Sequence, residues 1–300
     1  MSLAYKILEN HQLSAVSRLF SSSLIRELAR KGHSPLFARL ANESSLLEVS
    51  EPQEPIRNLF DSAFNLLKRK NYRHEYIYKA AITHKILLGT HSLQTAVMLN
   101  EFRVGNNKAD SVILNGTSTV YEIKSERDSL ARLEQQIFSY RRVFAKVNII
   151  TGENHLDSVI AMVPEDVGIL LLSDRYQIST VRDAINCPDR TIPEEIFNSI
   201  QLREAKKILK AMEIDIPELP NTQMNEALKN LFVTLTPSEA HDGMVQVLRS
   251  TRSLRPLAEF VNELPDSIQA AALSTPLRKQ DQARLLATME TPVVEALKWM

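Results

Sequence analysis

Residues 108–124 read KADSVILNGTSTVYEIK, and the fold follows from how this stretch turns back on itself. Val112, Ile113 and Leu114 form an apolar run, Asn115-Gly116 follows, and a second β-prone run extends from Thr119 to Ile123. Asn and Gly both tolerate the positive φ of a type I′ turn, so Asn-Gly between two such runs predicts a β-hairpin. Asp110 is expected at the start of the first strand. Glu122 and Lys124 are two apart on the second, so their side chains leave the same face. Closing the hairpin sets Asp110 beside them, and a four-residue loop in place of a two-residue one leaves it there.

Two carboxylates on adjacent strands can share a hard divalent cation such as Mg²⁺, which takes oxygen ligands and keeps several waters. A lysine beside that cation can position or deprotonate a water, or stabilise charge developing on a phosphoryl group. The bare pattern is common, however, and equally describes an edge hairpin with a solvated Glu–Lys pair. The flanking sequence has to decide.

Upstream, 100–104 reads as a strand with Gly105-Asn106-Asn107 as its turn. Glu101 shares a face with Arg103. Before it, 75–88 reads as a helix, with Gly89 as a left-handed cap. Glu75 lies in its first turn, where the helix dipole favours an acid. Downstream, 125–144 reads as a helix with Leu130, Leu133, Ile137, Tyr140 and Phe144 along one stripe. Gln136 and Tyr140 are one turn apart on that helix. A strand at 146–151, a short helix at 157–163, a continuous apolar strand at 167–172 and an edge strand at 176–179 follow.

The Asp110…Glu122-x-Lys124 hairpin, followed by a helix bearing Gln136-Ile137-Phe138-Ser139-Tyr140, resembles the core of the PD-(D/E)XK nuclease superfamily, in particular its RecB-like and resolvase-like branches. Ala109 stands where the proline of that name would be. The wording from Asn115 to Glu126, with the Arg-Leu-Glu-Gln-Gln that follows, also resembles a little-characterised bacterial and mobile-element family of that superfamily. The resemblance covers about 72–180 and is most specific at 101–140. It implies an α/β, restriction-endonuclease-like αβββαβ core with a mixed sheet, flanked by helical N- and C-terminal regions. It implies Mg²⁺ or Mn²⁺ held by Asp110 and Glu122, with the Ile123 carbonyl as an extra ligand. Lys124 would act on the water, Gln136 would orient a phosphate or the lysine, and Tyr140 would brace the site. A helix before the core often supplies an early glutamate in that superfamily. Glu75 fits by position, Glu101 is a second candidate, and the sequence leaves both open.

Composition sets the frame. Three hundred residues, 44% apolar and 24% charged, suit a soluble globular chain of more than one compact unit. No apolar run is long enough to cross a bilayer, and the N-terminal residues lack a secretory pattern. A single cysteine, Cys187, leaves no internal disulfide and no cysteine zinc cluster. These features fit a reducing cytoplasm. The 36 basic and 36 acidic residues cancel, so phosphate binding has to come from local clusters. Lys68, Arg69, Lys70, Arg73, His74, Lys79 and Lys85 form the densest one; a solvated helix face is the competing reading. Lys206, Lys207 and Lys210 read as a smaller solvated face.

The flanks read as helical. A break at Gly32–Pro35 separates two short helices, 50–55 reads as a linker, and helices dominate again from about Pro193. His241-Asp242 reads as a turn. The expected division is 1–70, 71–190 and 191–300. The expected function is a metal-dependent nuclease with nucleic acid as partner, DNA rather than RNA, in repair, phage restriction or mobile-element maintenance. The alternative is a catalytically inert module of the same fold that binds nucleic acid, or a protein through its helical flanks.

Overall fold

The computed structural model describes residues 8–48 and 50–299. Packing divides the chain into two compact units: 85–256, and a second formed by 1–84 together with 257–300. This differs from the three-part division expected from the sequence. The stretch 50–55 is not a boundary but is strapped inside the helical unit. Ile56 N–H donates to the Thr291 carbonyl (2.9 Å), and Val293 N–H donates to that of Glu54 (2.8 Å).

The helical unit begins with α1 (Asn10–Arg18), α2 (Ser22–Lys31) and α3 (Pro35–Glu43). The expected break is present: Gly32 ends α2 at φ 76°, and Ser34 caps α3 by accepting Phe37 N–H at 3.0 Å. Then come α4 (Ile56–Leu67) and α5 (Glu75–Ala81). Phe20 stacks on Tyr76 at 4.5 Å and meets Phe60 and Phe64 edge-on at 5.9 and 6.1 Å. Distant parts of the chain close onto this nucleus. The Tyr76 hydroxyl donates to the Ser267 carbonyl (2.6 Å), and Trp299 packs 5.7 Å from Phe37. After α5 the backbone widens into a π-helical turn, Ile82–Leu87. Gly89 does not take the left-handed conformation expected of it; the glycines with positive φ are Gly32, Gly105 and Gly116. The Ile86 carbonyl is satisfied instead by both Thr90 N–H and His91 N–H, each at 3.1 Å.

The second unit is α/β. A six-stranded mixed sheet runs in the order β1 (Val97–Val104), β2 (Asn107–Leu114), β3 (Ser118–Lys124), β4 (Lys146–Thr151), β5 (Gly168–Leu172) and β6 (Ile178–Arg182). The strands β3, β4 and β5 are parallel, and the remaining neighbours are antiparallel. Helices α6 (Leu133–Arg141) and α7 (Glu153–Met162) make the two crossovers. Then follow α8 (Pro193–Ser199), α9 (Leu202–Ala211), α10 (Asn221–Phe232) and α11 (Pro237–Thr251).

Three local details differ from expectation. The pair Leu114↔Ser118 leaves a three-residue loop rather than two or four, with Gly116 at φ 73° and Asn115 N–H bonded to the Thr117 carbonyl (3.0 Å). The strand β2 begins at Asn107, directly after the Gly105-Asn106 turn, so Asp110 lies inside the strand rather than at its start. The helix expected from 125 begins only at Leu133. Ser125 donates through both its N–H (2.8 Å) and its hydroxyl (2.6 Å) to Asp128 Oδ2, a local turn that competes with helix.

One core carries this unit. Val112 and Leu114, Val120, Val147 and Ile149, and Ile169 come from successive strands. Ile137, Tyr140 and Phe144 meet them from α6 and its end, and Ile208, Phe232 and Met244 from the later helices. Fully burying such side chains contributes about 1.5–3 kcal/mol each. This packing holds α6 over β3 and so fixes what Gln136 and Tyr140 can reach.

Candidate functional site

The central strand β3 is buried on both sides along most of its length, which puts Glu122 and Lys124 in the interior at 2% and 6% exposure. The β2–β3 ladder closes with Ser111↔Tyr121, and one step further Asp110 stands opposite Glu122. There the ladder bond is replaced by a side chain: Ile123 N–H donates to Asp110 Oδ2 at 2.8 Å. The N–H and C=O of one strand residue leave on the same edge, so the Ile123 carbonyl faces the same side.

Four side chains then close on one another. Lys124 Nζ donates to Glu122 Oε1 (2.9 Å) and to Gln136 Oε1 (2.8 Å). Gln136 Nε2 donates to Glu122 Oε1 (2.5 Å), and the Tyr140 hydroxyl donates to Glu122 Oε2 (2.9 Å). The Tyr140 oxygen also lies 2.8 Å from the Lys108 carbonyl on β2. Tyr140, its one hydrogen given to Glu122, thus stands between that carboxyl and the neighbouring strand. Burial pushes the Glu122 carboxyl above its ordinary value, against the pull of the Lys124 charge and the bonds from Lys124, Tyr140 and Gln136. Burial also pushes the Tyr140 phenol far up, helped by the Glu122 charge, so it remains a donor.

The sequence therefore named the members of this cluster: Asp110, Glu122, Lys124, Gln136 and Tyr140. The early acid is different. Glu101 takes φ 52° within β1 and turns outward to pair with Lys108 Nζ at 3.0 Å, its side chain 62% exposed. A non-glycine residue in that conformation costs about 1–3 kcal/mol. Glu75 belongs to the helical unit, where it pairs with Lys79 Nζ at 2.5 Å. Among the described residues no group of three or more His, Cys, Asp or Glu side chains converges as a metal cage. What the cluster offers is the oxygens of two opposed carboxylates and a backbone carbonyl. That donor chemistry suits a hard cation completed by water rather than a soft one.

The basic cluster read from the sequence is not one open face. Arg73 is buried, with Nε donating to the Lys68 carbonyl (2.8 Å), Lys79 is paired with Glu75, and Lys68 lies over the Phe64 ring.

One arrangement escaped the sequence altogether. His241-Asp242 is not a turn but part of α11. The Ser118 oxygen accepts Ala145 N–H (3.0 Å) and lies 2.9 Å from His241 Nε2, which takes the Ser118 hydrogen when the neutral ring carries its proton on Nδ1. His241 Nδ1 then donates to Asp242 Oδ1 at 2.8 Å. The order Ser–His–Asp is that of a hydrolytic triad, but Ser118 is 0% exposed and its oxygen is committed to Ala145, so the chain is structural. No spacing signal could have joined residues 123 positions apart.

This buried ring has a pH consequence. Burial pushes the His241 ring below its ordinary value of 6.5, although Asp242 acts the other way. A folded state that holds the ring neutral binds fewer protons than the unfolded chain below about pH 6.5. Stability of this unit is therefore expected to fall as pH drops through and below that value. Denaturant midpoints at a series of pH values should show it, and His241→Gln should flatten the slope; equal slopes would refute the assignment.

Comparison with known proteins adds the following. Residues 68–269 match a family model described as bacteriophage P4 protein cII. Protein cII of Enterobacteria phage P4 is 30% identical over 172 residues, covering 56% of this chain and 58% of that protein. The chain thus spans less than two thirds of the relative's length. A solved protein of unknown function from Silicibacter pomeroyi shares 20% identity at a TM-score of 0.27, over 40% of this chain and 82% of that one. The matched family region contains every residue of the buried cluster.

Proposed function

The chain belongs to the bacteriophage P4 protein cII family, and we propose that it is a Mg²⁺- or Mn²⁺-dependent nuclease, of the PD-(D/E)XK type, that hydrolyses phosphodiester bonds of DNA. The observation that carries this reading is the buried ring of Glu122, Lys124 and Gln136, with Asp110 across the strand and Tyr140 behind it. A structural ion pair needs only its two charges. This ring adds an amide that contacts both partners and a phenol that fixes the carboxyl's second oxygen.

Asp110, Glu122 and the Ile123 carbonyl would hold the cation. When bound, it supplies an acidified water and a counter-charge for the phosphate. Lys124 would place the attacking water, its ammonium restrained between Glu122 and Gln136 until substrate arrives, and would take the water's proton only after giving up one of its own to solvent. Gln136 would keep the lysine aimed and offer its amide to a phosphate oxygen. Tyr140 would hold the orientation of Glu122 through its bond to Oε2. Packing of α6 against the sheet excludes bulk water, which strengthens each of these interactions.

The test is incubation with supercoiled plasmid, linear duplex, single-stranded DNA and RNA, in Mg²⁺, Mn²⁺ or EDTA. Metal-dependent cleavage of a DNA substrate that Asp110→Ala abolishes supports the proposal; RNA as the sole substrate would correct the substrate class. With the chain's charges balanced, binding should rest on few phosphate contacts and weaken as salt rises.

A second reading rests on an observation of its own. Both Glu122 oxygens are already engaged by protein donors, as they would be in an inert module of this fold. Calorimetry with Mn²⁺ separates the two. A saturable site removed by Asp110→Ala supports the nuclease; no binding, with or without DNA, supports the inert module.

A further inference from the structure

At the opposite end of the sheet, beside the Gly116 turn, lies a cavity of about 510 Å³ inside the α/β unit. It is bounded by the chain before β1, the β2–β3 turn, the last turns of α11 and the residues after it. From Ser118, where β3 begins, to Glu122 is four strand steps, about 13 Å at 3.3 Å each, and the cavity lies at the loop beyond Ser118, so this is not the Glu122 cluster.

Arg249 and Arg255 line it. Arg249 Nη2 donates to the Thr95 carbonyl and Arg255 Nε to Gln94 Oε1, each at 2.8 Å. Both partners are neutral. Among the described residues no carboxylate pairs with either guanidinium, whereas Arg141, Arg142, Arg190 and Arg252 in the same unit all have acids. A guanidinium has five N–H donors, so these bonds position each group and leave donors to spare. The lone acid in the lining, Asp242, is tied to His241. Gln246 and Ser253 add neutral donors, while Ala96, Val97 and Val245 make an apolar wall.

We infer that this cavity binds the phosphate group of a nucleotide, with Arg249 and Arg255 as its two forks. Paired guanidiniums match phosphate oxygens bidentately, the Ser253 hydroxyl and the Gln246 amide complete the shell, and the apolar wall takes the body of the ligand. A cavity this size admits a nucleotide whole. The phosphate can come from a free nucleotide or from a strand end. The inference stands whether or not the distant cluster cuts DNA.

The experiment is calorimetric titration of the full chain with pyrophosphate, dAMP, and a short oligonucleotide with and without a 5′-phosphate. The proteins are wild type, Arg255→Gln, Arg249→Gln, Arg249→Lys and Asp110→Ala. Saturable binding of at least one phosphate probe is expected. It should weaken tenfold or more in Arg255→Gln and Arg249→Gln and partly in Arg249→Lys, which keeps the charge but loses the fork. Asp110→Ala should leave the binding of pyrophosphate and dAMP unchanged. Binding of dAMP identifies a free nucleotide; preference for the 5′-phosphorylated strand alone identifies a strand end. Because Arg249 also braces Thr95, the exposed Arg255 variant decides if Arg249→Gln fails to fold. No saturation by any probe at millimolar concentration, or wild-type affinity in Arg255→Gln, would overturn the inference.

Discussion

Lys124→Gln is expected to lower metal-dependent DNA cleavage about 10²–10⁴-fold while the protein stays folded, the range for removing a positioned proton-transfer group. Glutamine is the informative replacement because it can still donate to Glu122 and Gln136, the two partners of Nζ. Alanine would take away the hydrogen-bond donor as well as the counter-charge, at a cost of about 3–5 kcal/mol, so lost activity could be lost fold. Glutamine removes only the charge and the exchangeable proton. A second readout follows from the same change. The Lys124 charge is what draws the Glu122 carboxyl down against burial. Without it, the folded value rises further above the unfolded one. A carboxyl raised in the folded state gives stability that is full below its unfolded value and lost as pH rises through the folded value. Lys124→Gln should therefore lose stability relative to wild type at neutral pH and recover as pH falls towards 5. Nuclease assays and urea midpoints at about pH 5 and pH 8 measure both effects. Full activity in Lys124→Gln would end the catalytic assignment. Lost activity with no pH-dependent stability change would separate Lys124 from Glu122.

Much of this site was legible because it is local. Asn115-Gly116 sets the hairpin, the two-residue period puts Glu122 and Lys124 on one face, and the helical period puts Gln136 under Tyr140. Those regularities need no knowledge of the rest of the chain. The errors are of another kind. The helix expected from 125 lost its first turns to a Ser125–Asp128 side-chain turn, which periodicity does not see. Glu101 alternates correctly on paper, but its positive φ breaks the alternation and sends it outward to Lys108. The linker at 50–55 has linker composition, yet its carbonyls meet a segment some 240 residues later in sequence. The Ser118–His241–Asp242 chain and the Arg249–Arg255 cavity have the same character. They depend on which helix the sheet receives on its face, and no spacing in a single sequence encodes that.

Outside the Asp110–Glu122–Lys124 cluster, the largest stability effect should lie at Glu204. This carboxylate is 0% exposed, in the first turn of α9, and every bond it makes comes from elsewhere in the same unit. Arg252, just past α11, grips it with two bonds of 2.8 Å, Nε to Oε1 and Nη2 to Oε2. Gln201 N–H donates at 2.8 Å as the capping box, and the Thr251 hydroxyl adds a longer bond. The same guanidinium lies over the Phe102 ring of β1 at 5.5 Å. One ion pair thus joins α9, the end of α11 and the edge strand. Burial alone would raise the Glu204 carboxyl, but the Arg252 bonds and the backbone cap overcome it and hold it below its ordinary value. A lowered folded value gives stability that is present above the unfolded value and lost as pH falls through the folded one. Arg252→Ala leaves a buried carboxylate uncompensated and is expected to destabilise the unit by about 3 kcal/mol, the lower end for a buried pair because part of the guanidinium meets solvent. The double variant Arg252→Met, Glu204→Gln removes both charges and should recover most of that loss, since the penalty belongs to the stranded charge and not to the missing contact. Amide exchange in α9 and α11 reads the change within this unit, independently of the helical one. Protection in Arg252→Ala within about 0.5 kcal/mol of wild type would show that the pair is only a solvated surface bridge.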